Sequence, residues 1–111
     1  MRTLAHYTVY DSEVYNLHTF EFKPDGSVTH FTTPAETAHT RFIEGILIAS
    51  GPLSEVVRSQ IADLLTQNHA SPRQLATKLA EIIPAGKTVT HLYQVTYPYK
   101  RMETVTIRYV L

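Results

Sequence analysis

The chain has no cysteine, so disulfides, a thiolate nucleophile and sulfur-ligated zinc are excluded from the start. Glycine is scarce, four residues in 111, and the four are too far apart to build a phosphate-cradling loop. No serine lies in a G-x-S-x-G elbow. Long hydrophobic runs are also missing: the longest, Phe42 to Ala49, is interrupted by Glu44 and is too short to span a bilayer. The opening MRTLAHYTVYDSE lacks an apolar signal core and a small-residue cleavage site, and the expected location is the cytoplasm. The formal net charge is zero, which argues against the basic field of a general nucleic-acid binder.

Apolar residues make up 43% and charged residues 18% of the chain, a balance that favours a packed interior over disorder. Its 111 residues suit one α+β domain over 1–111. The charge is unevenly spread. Residues 1–50 carry three basic and six acidic side chains, whereas residues 51–111 carry seven basic and four acidic ones. That asymmetry suits self-association or an oriented partner surface, and equally suits solvated helix faces.

Periodicity predicts four strands, two helices and two strands. Leu4 to Tyr10, Val14 to Phe22 and Val28 to Thr32 are strand-like. Phe42 to Ser50 is apolar on both faces, as a central strand would be. Leu53, Val56, Val57, Ile61, Leu64 and Leu65 form one helical stripe, with Pro52 expected in the first turn and Asn68 closing the end in a left-handed conformation. A second helix opens at SPRQL: Ser71 caps, Pro72 fills the first position, and Gln74 completes a capping box. Its stripe is Leu75, Ala76, Leu79, Ile82 and Ile83, ended by Pro84 and Gly86. A last hairpin spans 88–97 and 102–111. Val89, His91, Tyr93, Val95 and Tyr97 share its buried face with Val105, Ile107, Tyr109 and Leu111, and its other face is polar except for Leu92. The expectation is an antiparallel sheet of five to six strands, in the chain order ββββααββ, with both helices on one face.

The stretch HTFEFKPDGSVTHF carries the strongest local signal. Its KPDGS turn has Pro, Asp and Gly where a type I turn followed by a left-handed glycine needs them. This pairs Phe22 with Val28, Phe20 with His30 and His18 with Thr32. His18 and His30 then become diagonal neighbours about 7 Å apart. If Asp11-Ser12-Glu13 is also a three-residue loop, His6 faces His18, and three imidazoles converge from three strands. Three neutral histidines can hold zinc and leave a position for an activated water. An enzyme reading, a zinc-dependent hydrolase or lyase, therefore starts from His6, His18 and His30. No carboxylate shares the face to orient the rings, a role usually filled in such sites, and a one-residue slip would send a histidine to the opposite face.

Other candidates carry less chemistry. His91 among tyrosines reads as core packing, with a tyrosine hydroxyl as its partner. Glu36, His39 and Arg41 share a loop without a nucleophile. The helix pair followed by a hairpin has the outline of a helix-turn-helix with a wing, and Arg73, Gln74 and Lys78 would be its readers. Glu55, Asp63 and Glu81 oppose that role. The tip TYPYKRM, residues 96–102, combines aromatic and basic side chains suited to a protein anchor. Tyr99, Lys100 and Arg101 are the candidate partner-binding residues, with Tyr97 folded back into the core. The function expected is a small non-enzymatic protein-binding or adaptor module that associates with another protein or with itself, without a cofactor.

Overall fold

A computed structural model describes residues 1–32 and 39–108. It shows an α+β fold of six strands and two helices in the order β1 (Arg2–Tyr10), β2 (Glu13–Phe22), β3 (Val28–Thr32), β4 (Thr40–Ser50), α1 (Glu55–Leu65), α2 (Pro72–Ile82), β5 (His91–Val95) and β6 (Glu103–Val105). The strands lie in one sheet in the order β3-β2-β1-β4-β5-β6.

The sheet is mixed rather than antiparallel throughout, because β4 runs parallel to β1. The central place of β4 follows from its composition. Ile46 and Ile48 are buried in one core, while Ile43, Leu47 and Ala49 are buried in another. A strand apolar on both faces belongs in the middle of a sheet. In the sheet it lies between β1 and β5 rather than beside β3, its predecessor in sequence.

Both helices cover one face. Ile61, Leu64 and Leu65 of α1 and Leu75, Ala76, Leu79 and Ala80 of α2 pack with Val9, Ile46, Ile48, Tyr93 and Val95. Each helix starts on a serine cap: the Ser54 hydroxyl accepts from Val57 N–H (3.2 Å) and Ser71 from Gln74 N–H (3.1 Å). The expected box at Ser71 is shifted by one residue, since the Gln74 side chain accepts from Ala70 N–H. Pro52 lies before the α1 cap instead of in its first turn, and Thr66, not Asn68, ends that helix in a right-handed conformation. Val56, expected in the buried stripe, is 68% exposed. No helix among the described residues is long and apolar enough to cross a membrane.

The opposite face has a core of its own, with no helix above it among the described residues. Phe20 and Phe22 of β2 share a buried cluster with Leu92 of β5 and Val105 of β6, although β1 and β4 lie between those strands in the sheet. The cluster is continuous across the sheet through Ala5 of β1 and Ile43, Leu47 and Ala49 of β4, and the twist and coiling of the sheet draw its two ends toward each other. Backbone contacts agree: the β2–β3 turn closes onto the lead-in to β5 through Val89 N–H donating to Gly26 C=O (2.9 Å). The curl has a visible origin. Leu17 on β2 is left-handed (φ 48°), Gly45 on β4 has φ 82°, and the β1–β4 register shifts between Ala5 and Tyr7. These irregularities fall at one level across three adjacent strands, where bulges bend a sheet. Ala5 and Tyr7 pack on opposite faces of the sheet as a result.

In the final hairpin Val105 pairs with Leu92, not with the Tyr93 face. Leu92, the expected exception on a polar face, is thus fully buried in the second core. Tyr109 and Leu111 lie outside the described residues.

Gly45 is the tightest point of the bend. A Cβ there would strike the carbonyl oxygen of Val95, in a backbone conformation that side chains rarely adopt. Gly45→Ala should therefore cost at least about 2 kcal/mol in urea unfolding. Gly86→Ala, where a Cβ meets nothing within 4 Å, should be near neutral. Equal, small effects would remove Gly45 as the origin of the bend.

Candidate functional site

The KPDGS turn forms as its sequence requires. Lys23 N–H donates to Ser27 C=O (3.1 Å), Gly26 N–H to Lys23 C=O (2.9 Å), and Gly26 is left-handed at φ 87°. Phe22 faces Val28, Phe20 faces His30 and His18 faces Thr32. The His18 and His30 rings lie 5.2 Å apart between centroids. Around them stand Tyr15, 4.8 Å from His30, and Phe20, stacked on His30 at 5.0 Å. Tyr10 approaches His30 at 6.1 Å and donates its hydroxyl to the Lys87 carbonyl (2.8 Å).

His6 does not join them. Asp11 and Ser12 are both left-handed (φ 50° and 65°), which makes a two-residue type I′ turn instead of a three-residue loop. The register therefore slips by one: Tyr10 faces Glu13, and Ala5, not His6, faces His18. His6 is exposed and touches Tyr7. Among the described residues no group of three side chains is placed to hold a metal ion. The three-histidine zinc centre is thus not assembled. What remains is a pair of imidazoles in an aromatic cluster.

Burial, and secondarily the neighbouring His30, holds the His18 pKa below the ordinary imidazole value. Burial likewise raises the Tyr10 and Tyr15 phenols, which stay neutral at physiological pH. These shifts favour the neutral forms of His18, Tyr10 and Tyr15 near neutrality.

The tip forms a different kind of surface. A groove of about 390 Å³ lies between it and the α1–α2 turn, lined by Gln67 to Pro72, Leu75 and Tyr97 to Lys100. The tip bends at a cis Tyr97–Pro98 peptide, and Tyr99 N–H donates to Thr96 C=O (2.6 Å) to close the turn. This geometry exchanges the expected roles of the two tyrosines. Tyr97 is 80% exposed, whereas Tyr99 is half-buried against the helix-side core. Their rings meet edge to face at 6.0 Å. On the other wall His69 donates from Nε2 to the Leu64 carbonyl (2.9 Å), because a carbonyl can only accept. Lys100 is exposed and has no ion-pair partner among the described residues, while Arg101 pairs with Glu103 at 3.0 Å. The sequence pointed to the tip but not to its partner wall, since the spacing from Gln67 to Tyr97 carries no local signal.

The remaining candidates stay apart. Arg73 and Gln74 are exposed, and Lys78 is half-buried. His91 is satisfied by Thr90 (2.7 Å) rather than by a tyrosine, and stacks on Tyr93. The Tyr93 hydroxyl instead accepts from Arg58 (3.1 Å). His39 and Arg41 are exposed, and Glu36 lies outside the described residues. Comparison with protein families, curated proteins and solved structures returns no significant match.

His18 supplies a pH test. Its native pKa lies below that of the unfolded chain, so on acidification the unfolded chain takes up the proton first. The associated stability is complete above about 6.5, declines as pH falls below that value, and levels off below the native pKa. The urea midpoint should therefore fall between about pH 7.5 and about pH 5, and His18→Gln should flatten that fall. An unchanged slope in the variant would show that His18 is as well solvated folded as unfolded.

Proposed function

We propose that the protein is a non-enzymatic binding module of the cytoplasm that takes an extended segment of another protein into the groove beside Tyr97 and also associates with itself. The observation that carries this reading is the exposure of Tyr97 at the mouth of a groove walled by Pro72, Pro98, Tyr99 and Leu75. A large aromatic left in water beside a concave apolar wall is the usual form of an interface anchor. Aromatic and proline walls suit an extended segment of polyproline II type, which is stiff before it binds and so loses little conformational freedom. Lys100, unpaired among the described residues, sits at the groove and suits an acidic residue in the bound segment. In the aromatic–histidine cluster His18 and His30 face each other and the rings of Tyr15 and Phe20, an arrangement that suits packing at the rim of a core.

Selection from a random peptide library displayed on phage tests this. The wild-type chain should recover extended peptides bearing an acidic residue. Their affinity, measured by fluorescence anisotropy, should drop at least tenfold in Tyr97→Ala/Lys100→Ala. Both substituted side chains are exposed, so the melting temperature should move by only a few degrees. Selected peptides that bind the double variant as tightly as the wild type would move the binding site elsewhere.

A further inference from the structure

The two edges of the sheet are built differently. β6 is three residues long and flanked by the Arg101–Glu103 ion pair, a short charged edge of the kind that discourages pairing. β3 is the opposite case. Val28–Thr32 contains no Lys, Arg, Asp or Glu, no proline and no bulge, and Thr29 to Thr32 are all exposed.

Its free hydrogen-bonding groups can be assigned. Lys23 and Ser27 form a hydrogen-bonded pair (3.1 Å), and such pairs alternate along an antiparallel ladder. Thr29 and Phe31 therefore turn their backbone groups toward Glu21 and Thr19. The β1 side agrees, since Phe22 exchanges both backbone bonds with Met1 (2.8 Å each) and so faces away from β3. Val28, His30 and Thr32 are left with N–H and C=O directed outward, unpaired among the described residues.

We propose that β3 pairs antiparallel with β3 of a second copy, about a two-fold axis passing between the two His30 residues. This rests on the reading that the protein self-associates and specifies where. The outward array consists of three residues spaced two apart, so an axis at the middle one satisfies every outward group in both copies. His30 pairs with His30, and Val28 pairs with Thr32 in each direction. The same register sets Phe31, 37% exposed, directly against Thr29 of the other copy in the closer, non-hydrogen-bonded pairing. The strand's neutrality favours a copy of itself over a charged foreign strand, because it offers nothing to select one.

The absence of native cysteine makes the register directly readable in the full chain. In His30→Cys the two introduced residues stand opposite each other with Cα atoms about 5.5 Å apart, inside the range a disulfide spans. In Thr29→Cys or Phe31→Cys each residue is diagonal to its copy at about 7–8 Å, which is too far. Mild oxidation should give a covalent dimer with His30→Cys and little with the other two. In sedimentation equilibrium, His30→Lys should weaken wild-type dimerisation at least tenfold by setting like charges across the axis. Equal cross-linking at all three positions, or at none, overturns the pairing. A wild-type dimer that persists unchanged in His30→Lys also overturns it but leaves self-association standing through another surface. A wild-type chain monomeric up to about 1 mM ends both readings, while peptide binding at the Tyr97 groove would be unaffected.

Discussion

The bend across β1, β2 and β4 is the constraint from which the rest of the molecule follows. Leu17 and Gly45 leave the ordinary strand conformation, and the β1–β4 register jumps at the same level. Without that bend, Phe20, Phe22, Leu47 and Leu92 would form a flat apolar face open to water. With it, the sheet wraps over itself and buries all four to 1% or less. A fully buried side chain of this size contributes about 1.5–3 kcal/mol. Closure of this second core therefore outweighs the cost of the bend's one left-handed side-chain-bearing residue, Leu17, about 1–2 kcal/mol, while Gly45 takes its conformation at little steric cost.

The curl also decides what remains on the outside. Among the described residues one face is covered by the two helices and the other is buried in the second core. Surface chemistry moves to the margins: the turn between the helices with the tip that approaches it, and the edge strand β3. His18 and His30 sit near that margin, partly shielded by rings and without a carboxylate among the described residues to complete a metal site.

Local chemistry was legible in the sequence and long-range choice was not. KPDGS names its turn through three residues with distinct backbone demands, and every pairing it implies is present. The serine caps are equally local. Asp11-Ser12 misleads because type I′ turns usually advertise themselves with Asn-Gly or Asp-Gly, and here two non-glycine residues accept φ above zero. That single residue of slip removes His6 from the cluster. The parallel placement of β4 is visible only as a pattern apolar on both faces, which names a central strand but not its neighbour or direction. Tyr97 and Tyr99 trade places because the chain reverses at Pro98, so strand alternation cannot be carried through the turn. Pro52 and Ser54 both signal a helix start, and the hydroxyl that meets Val57 N–H decides between them.

The position of β1 bears on how the chain acquires its structure. One of its neighbours, β2, follows after two residues, whereas the other, β4, begins only at Thr40. A meander of β1, β2 and β3 can form from local contacts, but it presents β1 as a nine-residue edge with Arg2 as its single charge. Strand addition over so long a separation is slow compared with hairpin closure. During that interval the unfinished sheet carries an adhesive border that the finished one hides at its centre. Arrival of β4 is the step that turns a sticky half-sheet into a closed one, and a chain interrupted before it would retain the exposed border of an aggregation seed.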